Sequence, residues 1–313
     1  MQKIEINSGK EMDVLRKAAF VVTDQNLYDI YGPLLPKDTF VVPAGEGSKT
    51  LYYAEKIASE LLRRGVRRTD TIAAFGGGMV GDLVGFAASV YMRGVGWSFV
   101  PTSLLAMADS SIGGKTAVNV GKIKNAVGSF WLPDTYIETK YLSTLPKSEY
   151  ESGMGEIVKT SLLDGELYKL MHGEFNEVEA IKKCVCAKSE IVSRDMTDKG
   201  ARKVLNMGHT VGHAIELLSG LSHGKCVLIG MRLEMLMLRD LIPHNFFYEA
   251  QSYLGRFIGN GAIDFCADDV AKIAQNDKKN GDGISIMYPC GIGDVKEAVL
   301  SGDEFTRLIK GAI

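Results

Sequence analysis

Thr71-Ile72-Ala73-Ala74-Phe75-Gly76-Gly77-Gly78-Met79-Val80-Gly81-Asp82 decides the fold. The apolar run Thr71 to Phe75 reads as a strand buried on both faces, and the glycine cluster after it reads as a turn into a helix. Gly76 to Gly81 satisfies the G-x-G-x-x-G spacing, in which glycines let backbone amides approach a pyrophosphate at the positive end of a helix. The dinucleotide fingerprint also places an acidic residue about 20 residues further on, to hold the ribose. Here that region is Gly96-Trp97-Ser98-Phe99-Val100, and Asp82 follows the turn directly instead. A phosphate cradle and a merely tight structural turn both fit the pattern at this point.

Outward from this turn, short apolar runs alternate with helical stretches. Phe20 to Thr23, Thr39 to Val42 and Trp97 to Val100 read as further buried strands, the last ended by Pro101. Between them Ser48 to Arg64 reads as an amphipathic helix, with Ser48 as its N-cap and Leu51, Ala54, Ile57, Ala58, Leu61 and Leu62 at helical spacing. Such alternation implies a parallel, Rossmann-like sheet with helices on its faces. Past about Pro146 the strands give out. Glu149 to His172, Val178 to Asp195, Asn206 to Ser219, Val227 to Arg239 and Tyr248 to Phe257 read as helices, and only Ile284 to Tyr288 looks β-like. The expected organisation is an α/β domain over 1–146 followed by a mainly α-helical domain over 147–313.

The chain has 313 residues, with 46% hydrophobic and 24% charged, which is ordinary globular usage. Its 36 basic and 38 acidic side chains leave a net charge of −2, which argues against a nucleic-acid surface while leaving room for a local basic pocket. Five cysteines without a CxxC pair point to a reduced, cytoplasmic setting. Met1 to Asp13 has no apolar segment of a signal peptide. The window Thr71 to Met92 carries Asp82 and five glycines, so it is no membrane span.

Asn206-Met207-Gly208-His209-Thr210-Val211-Gly212-His213 puts two imidazoles at i and i+4 on one helical face. That spacing suits a divalent metal, which His223 and Glu156 could complete. Thr210 after His209 excludes the HExxH arrangement of a metalloprotease. A pair of hydrogen-bonded core histidines is the plainer alternative, but three of the five histidines fall between Gly208 and Gly224, where small residues let helices close around a ligand. Lys115 after Gly113-Gly114, Lys124-Asn125, Lys159 one turn after Glu156, Lys188 and Arg202 read singly as solvated charges. Together, beside a metal cluster and a phosphate-type turn, they suggest an anionic substrate with carboxylate and phosphate groups.

In this combination the residues resemble the 3-dehydroquinate synthase family, a branch of the sugar-phosphate cyclases. The resemblance runs from about Val21 to Asp277-Lys278-Lys279. It is carried by Pro43-Ala44-Gly45-Glu46-Gly47-Ser48-Lys49, the Gly76 to Asp82 turn, Tyr91-Met92-Arg93-Gly94, Pro101 to Ala106, Asp109 to Lys115, Gly153 to Lys159 and the Leu205 to Glu216 histidine segment. It implies an active site in the cleft between the two domains and a homodimer. It implies a bound NAD held by Asp24, Asn26, Glu46, Lys49, Gly77, Gly78 and Asp82, with Thr102, Ser103, Lys124 and Thr144 adding to that site. It also implies Zn2+ or Co2+ on Glu156, His209 and His223, with His213 beside the metal as an acid/base rather than in its shell, against the bare i, i+4 pairing. Anionic substrate groups would meet Arg93, Asp109, Lys115, Asn125, Lys159, Lys188, Arg202, Asn206 and one or both of Lys278 and Lys279; Asp198, Lys159 and Asn206 join His213 as catalytic candidates.

The implied reaction converts 3-deoxy-D-arabino-heptulosonate 7-phosphate to 3-dehydroquinate and phosphate, by transient oxidation with NAD, phosphate elimination, reduction and intramolecular aldol closure. This places it in the shikimate route to aromatic amino acids, with no nucleic-acid or membrane partner. Three departures stand out. Asp198 occupies a position usually held by Glu and regarded as a proton acceptor, Lys225 one that is commonly acidic, and Ser103 one that is usually threonine. The stretch between Thr160 and Lys188 is also short for the family. The rival readings are another cyclase, of 2-deoxy-scyllo-inosose or valiolone synthase type, and a metal-dependent oxidoreductase of glycerol-dehydrogenase type. A binding or regulatory protein without activity is a third. Arg202, Asn206 and His213 favour the dehydroquinate branch, since Arg202 offers a bidentate clamp for a substrate carboxylate.

Overall fold

The computed structural model describes residues 2–121, 123–259, 265–275 and 283–313. Lys278 and Lys279, named above as substrate contacts, lie outside the described residues. The chain divides into two compact units, Met1–Pro146 and Lys147–Ile313.

The first unit opens with β1 (Ile4–Ile6), α1 (Glu11–Lys17), β2 (Phe20–Asp24), α2 (Gln25–Tyr31) and β3 (Phe40–Val42). It continues through α3 (Leu51–Arg63), β4 (Thr71–Gly76), α4 (Gly78–Val90) and β5 (Gly96–Pro101). The hairpin β6 (Lys115–Val120) and β7 (Ile123–Phe130) follows, then β8 (Asp134–Ile137). Six strands form one sheet in the order β1-β8-β5-β4-β2-β3, and every pair in it is parallel. β4 and β5 are buried along all but their first residues, the signature of a sheet covered on both faces. From β2 the chain steps outward to β3 and then crosses back to β4 on the other side. The strand order therefore reverses between the carboxyl ends of β2 and β4, where open α/β sheets bind ligands.

Helix α4 lies so close to the sheet that glycine is required on its inner face. A Cβ on Gly81 would enter the Phe99 ring, and one on Gly85 would meet Thr116 and the Trp97 ring. The third glycine of the G-x-G-x-x-G pattern thus serves helix–strand packing.

Several expectations are corrected. The N-cap of α3 is Thr50, whose hydroxyl accepts from Tyr53 N; Ser48 belongs to the preceding 3-10 turn and donates to the Pro43 carbonyl. Leu51 and Leu62 are exposed, so the buried stripe narrows to Ala54, Ile57 and Leu61. Pro101 is the last residue of β5 and pairs with Gly76. β7 is exposed along most of its length and so shows no apolar alternation by which to read it.

The second unit holds α5 (Lys147–Ser161), α6 (Gly165–His172), α7 (Glu177–Arg194), α8 (His209–Ser219), α9 (His223–Met237) and α10 (His244–Ile258). After these come α11 (Ala267–Gln275), the antiparallel pair β9 (Ile284–Gly291) and β10 (Asp294–Leu300), and α12 (Gly302–Ala312). The expected single helix over Glu149 to His172 is two, because Asp164 accepts from Leu167 N at 2.7 Å and caps a new start. β10 escaped the reading because the partly polar Asp294-Val295-Lys296-Glu297-Ala298-Val299-Leu300 forms a largely exposed strand. Among the described residues no helix is long and apolar enough to cross a membrane.

Gly81→Ala tests the helix–sheet contact. Alanine gains about 1 kcal/mol of helix propensity, but overpacking against a buried ring costs about 1–3 kcal/mol. We expect a net loss of up to about 2 kcal/mol in urea unfolding; a more stable variant would refute the close packing.

Candidate active site

In the second unit three side chains from three helices converge. Glu156 on α5, His209 at the start of α8 and His223 at the start of α9 each bring one ligand-type atom within 4.8 Å of the others. Glycines beside each residue allow this approach. Gly155 packs on Gly224, where an added Cβ would lie 2.5 Å from the Gly224 backbone, and a Cβ on Gly224 would run into the Ser152 carbonyl. A Cβ on Gly208 would strike the Met231 side chain and lie 2.5 Å from the Val227 carbonyl. Side chains at these positions would push α5, α8 and α9 apart and separate the three donors.

Glu156 is 1% exposed, and among the described residues no well-directed hydrogen-bond donor meets either of its oxygens. Around it stand Lys159 Nζ at 2.5 Å, His223 Nε2 at 3.3 Å and His209 Nε2 at 3.7 Å. Desolvation opposes its charge, but Lys159 and the two imidazoles hold the carboxyl well below its usual range. His209 Nδ1 is 3.1 Å from the Met207 carbonyl, an acceptor only, so Nδ1 carries the proton and Nε2 presents its lone pair toward Glu156. Burial, with Lys159 adding to it, holds the His209 imidazole well below its usual pKa and therefore neutral. His223 Nδ1 lies 3.0 Å from Glu216 Oε2, which again leaves Nε2 facing Glu156. Burial opposes the charge of His223, while Glu156 and Glu216 outweigh it and raise the group to about 9.

Glu156 and the Nε2 lone pair of neutral His209 would serve a divalent cation directly, and His223 Nε2 would serve it by giving up its proton. One carboxylate and two Nε2 donors are a familiar zinc-type set, each imidazole oriented through its other nitrogen. A second triad, His213, Glu216 and His223, also lies within ligand reach. It is the weaker candidate because Glu216 already engages His223 Nδ1 and is partly solvated. His213 stands beside the first triad, its ring centroid 5.1 Å from that of His209 and 5.9 Å from that of His223.

The cationic candidates of this unit lie on neighbouring elements. Lys159 is 2% exposed and donates to the Leu205 carbonyl at 2.9 Å, next to Asn206. Arg202, 1% exposed on the turn Ala201–Asn206, donates through Nη1 to the Met196 carbonyl. Lys188 is buried on α7. Asp198 adopts a left-handed backbone, φ 59°.

In the first unit the nucleotide candidates gather beyond the carboxyl ends of the parallel strands. Asp24 closes β2 and caps α2 by accepting from Leu27 N at 3.1 Å, and burial raises its carboxyl above the ordinary value. Asn26 stands in the first turn of α2. Gly77 is the N-cap of α4 and Gly78 its first residue. A Cβ on Gly77 would lie 3.4 Å from Ser103 Oγ, and one on Gly78 3.1 Å from Ser110 Oγ. Thr102 N donates to the Gly76 carbonyl, and the Thr144 hydroxyl meets Tyr31 Oη at 2.8 Å.

Lys49 Nζ lies 2.5 Å from Asp82 Oδ2, donates to Asn125 Oδ1 at 2.5 Å and stands 3.9 Å from Glu46. The structure thus ties Asn125, expected on the substrate side, to three nucleotide candidates. Asn119 joins them, donating to Glu46 Oε1 and accepting from Asn125 N. Lys115 and Lys124 are exposed on the β6–β7 hairpin, Arg93 is exposed with φ 64°, and Asp109 lies in a π-turn at Ala106–Ser110.

Sequence reading missed four supporting residues. Glu216, orienting His223, closes the histidine segment with no spacing that marks it. Asn119 and Glu234 carried no spacing signal. Asp195, a helix C-cap, accepts from Lys199 N, Gly200 N and Arg202 N at 3.1, 2.7 and 3.2 Å, folding the turn that carries Asp198 and Arg202.

An all-parallel sheet with a glycine turn at its switch point, followed by a helical unit bearing a Glu–His–His cluster, defines a class: two-unit α/β–α proteins with a nucleotide-type turn and a cation-type donor set. The family models described as 3-dehydroquinate synthase N-terminal and 3-dehydroquinate synthase C-terminal match residues 39–152 and 153–280. A 3-dehydroquinate synthase from Thermoanaerobacter sp. (strain X514) is 36% identical over 93% of this chain and 89% of its own length. One from Picrophilus torridus is 36% identical over 98% and 92%. This chain belongs to the 3-dehydroquinate synthase family. Among solved structures, a 2-deoxy-scyllo-inosose synthase complexed with carbaglucose-6-phosphate, NAD+ and Co2+ superposes with a TM-score of 0.83 at 24% identity, over 99% of this chain and 96% of that one. A 2-epi-5-epi-valiolone synthase from Streptomyces hygroscopicus with NAD+ and Zn2+ bound gives 0.84 at 23%, over 100% and 96%. A probable glycerol dehydrogenase from Sinorhizobium meliloti gives 0.62 at 13%, over 99% and 96%. At these identities the likeness concerns the fold.

The Asp195 turn generates a prediction. Backbone donors, Lys199 N first, pull its carboxyl down to about 2. Because the folded value is depressed, the turn's stabilisation is present above the ordinary carboxylate pKa and is lost as pH falls from about 4 toward 2. Amide exchange at Lys199, Gly200 and Arg202 is expected to lose protection over that window. Asp195→Ala should speed it severalfold at neutral pH, and unchanged exchange there would show that the carboxylate does not hold the turn.

Proposed function

We propose that this chain converts 3-deoxy-D-arabino-heptulosonate 7-phosphate to 3-dehydroquinate and phosphate, using NAD and a divalent cation, Zn2+ or Co2+. The observation that carries the reading is the convergence of Glu156, His209 and His223 in a chain of this family. NAD is assigned to Asp24, Asn26, Glu46, Lys49, Gly77, Gly78, Asp82, Thr102, Ser103, Lys124 and Thr144; the cation is assigned to Glu156, His209 and His223. When bound, these groups supply hydride uptake and return and Lewis-acid polarisation of substrate oxygens.

The chain's own residues bind, orient and move protons. Arg202, its guanidinium anchored on the Met196 carbonyl, presents a rigid fork to the substrate carboxylate. Lys159, pinned between Glu156 and the Leu205 carbonyl, is a fixed positive charge beside the cation and steadies negative charge that develops on substrate oxygen. His213, outside the donor triad but within one ring of it, holds or releases a proton, with Asn206 and Asp198 as polar partners. Arg93, Asp109, Lys115, Asn125, Lys188 and one or both of Lys278 and Lys279 complete the anion and hydroxyl contacts. Immobilising a carboxylate and a phosphate while charge moves between them is the task these residues share. A small anionic substrate agrees with the net charge of −2, since only local clusters are basic. We assign the functional form to a homodimer acting without nucleic acid or membrane.

One assay separates the reading from an oxidoreductase. With the heptulosonate phosphate, catalytic NAD and zinc or cobalt, phosphate should be released in proportion to substrate consumed, with no net NADH. Steady NADH accumulation without phosphate would replace the lyase reading by a dehydrogenase one. A chelator should abolish turnover, and added zinc or cobalt should restore it.

Arg202→Ala removes the proposed carboxylate clamp. A lost charge-assisted hydrogen bond is worth about 1.5–3 kcal/mol, so KM for the heptulosonate phosphate should rise roughly ten- to a hundredfold while NAD binding is unchanged. An unaltered KM would tell against the dehydroquinate branch.

A further inference from the structure

In the second unit, two carboxylates are buried to 1% exposure among the described residues: Glu156 and Glu234. Glu156 belongs to the donor triad, and Glu234 has no part in it. Glu234 lies on α9, about three helical turns beyond His223. Burying a carboxylate is costly, and burial pushes this one up to about 8 against the pull of its backbone donors. Its two oxygens accept from Gly208 N at 2.8 Å and from Val211 N at 3.0 Å. Both donors belong to the first turn of α8, whose N–H groups have no partner within the helix.

Helices ordinarily cap themselves with Ser, Thr, Asp or Asn at the N-cap. Here that position is Gly208, with φ 76° and no room for a Cβ against Met231 and Val227. A Cβ on Gly230 of α9 would likewise meet the backbone of Gly208 and Gly212. The approach that brings α8 onto α9 therefore forbids a local cap, and α9 supplies one from its own length. The two amides it holds are those of the residue before His209 and the second residue after it. The helix that starts with His223 thereby grips the helix that starts with His209.

We propose that Glu234 is a positioning residue for the cation site: by capping α8 from α9 it sets His209 relative to His223, and the affinity and geometry of the site depend on it. This rests on reading Glu156, His209 and His223 as cation ligands. It adds a residue that touches neither cation nor substrate and that no spacing in the sequence marks.

The test is a cobalt titration of metal-free protein, read by dissociation constant and by the visible absorption of the bound ion, with thermal stability measured alongside. Glu234→Gln keeps the shape but turns one acceptor into a donor facing an N–H. It should weaken cobalt binding roughly tenfold or more and alter the absorption bands. A core truncation on α6, Leu167→Ala, serves as the control: it should lower stability and leave both cobalt readouts as in the unaltered protein. If Glu234→Gln lowers stability while the dissociation constant and spectrum stay unchanged, Glu234 is only a structural cap and the proposal fails. Should that variant not fold, Glu234→Asp, which keeps the carboxyl group on a shorter arm, is judged by the same two readouts. If the unaltered protein binds no cobalt, or if Glu156→Ala binds it equally well, the cation reading itself fails, and this inference with it.

Discussion

The close approach of α5, α8 and α9 at glycine governs the second unit. Gly155 on Gly224, and Gly208 beside Met231 and Val227, leave no space for side chains, and the residues immediately adjoining these glycines are Glu156, His223 and His209. Packing and chemistry are therefore the same constraint. Tight interiors transmit displacement with little slack, so a methyl group at any of these glycines would shift the helix that carries a donor. Whatever binds at the triad owes its geometry to backbone contact one residue away.

Electrostatics then accounts for which triad is primed. Glu156 gains from Lys159 at 2.5 Å, yet an ion pair in a dry interior recovers its desolvation cost only with good hydrogen-bond geometry on the remaining lone pairs. No well-directed donor meets either Glu156 oxygen among the described residues, and His209 turns a lone pair toward it. The arrangement is thus incomplete in the sense that matters for a cation. Around Glu216 the balance differs: one oxygen is matched to His223 Nδ1, and the side chain is partly exposed.

Much of this could be read from residues alone, and the divisions follow physical lines. Strands buried on both faces, such as Ile72 to Phe75, announce themselves as apolar runs; β7 and β10, exposed for much of their length, do not. Asp164 was readable as a cap yet lay inside an apolar periodicity that ran past it. The glycine turn could be recognised, but only the strand order shows that it stands at the switch point beside Asp24. His209 and His213 at i, i+4 are all that one helix offers, and the structure brings His223 to Glu156 and His209 from another helix. Spacing within one helix says nothing about what a second helix delivers. Glu234 shows the limit most clearly, since a lone Glu among Leu233 and Met235 has no sequence partner until α8 is in place.

The turn between α7 and α8 carries two of the proposed site residues, Asp198 and Arg202, on one brace. Asp198 has φ 59°, a left-handed conformation that Asp adopts more readily than a longer side chain because its short carboxylate can bond to nearby backbone. Three backbone donors on Asp195 hold that turn, and the third of them is the amide of Arg202. An Asp here therefore reaches one methylene less far than a Glu would, on a backbone conformation it adopts more easily. The guanidinium on the same turn stays tied to the Met196 carbonyl. One brace thus sets the backbone that carries both side chains, and under the roles proposed above a change at 198 is expected to act on proton transfer separately from the substrate contact at 202.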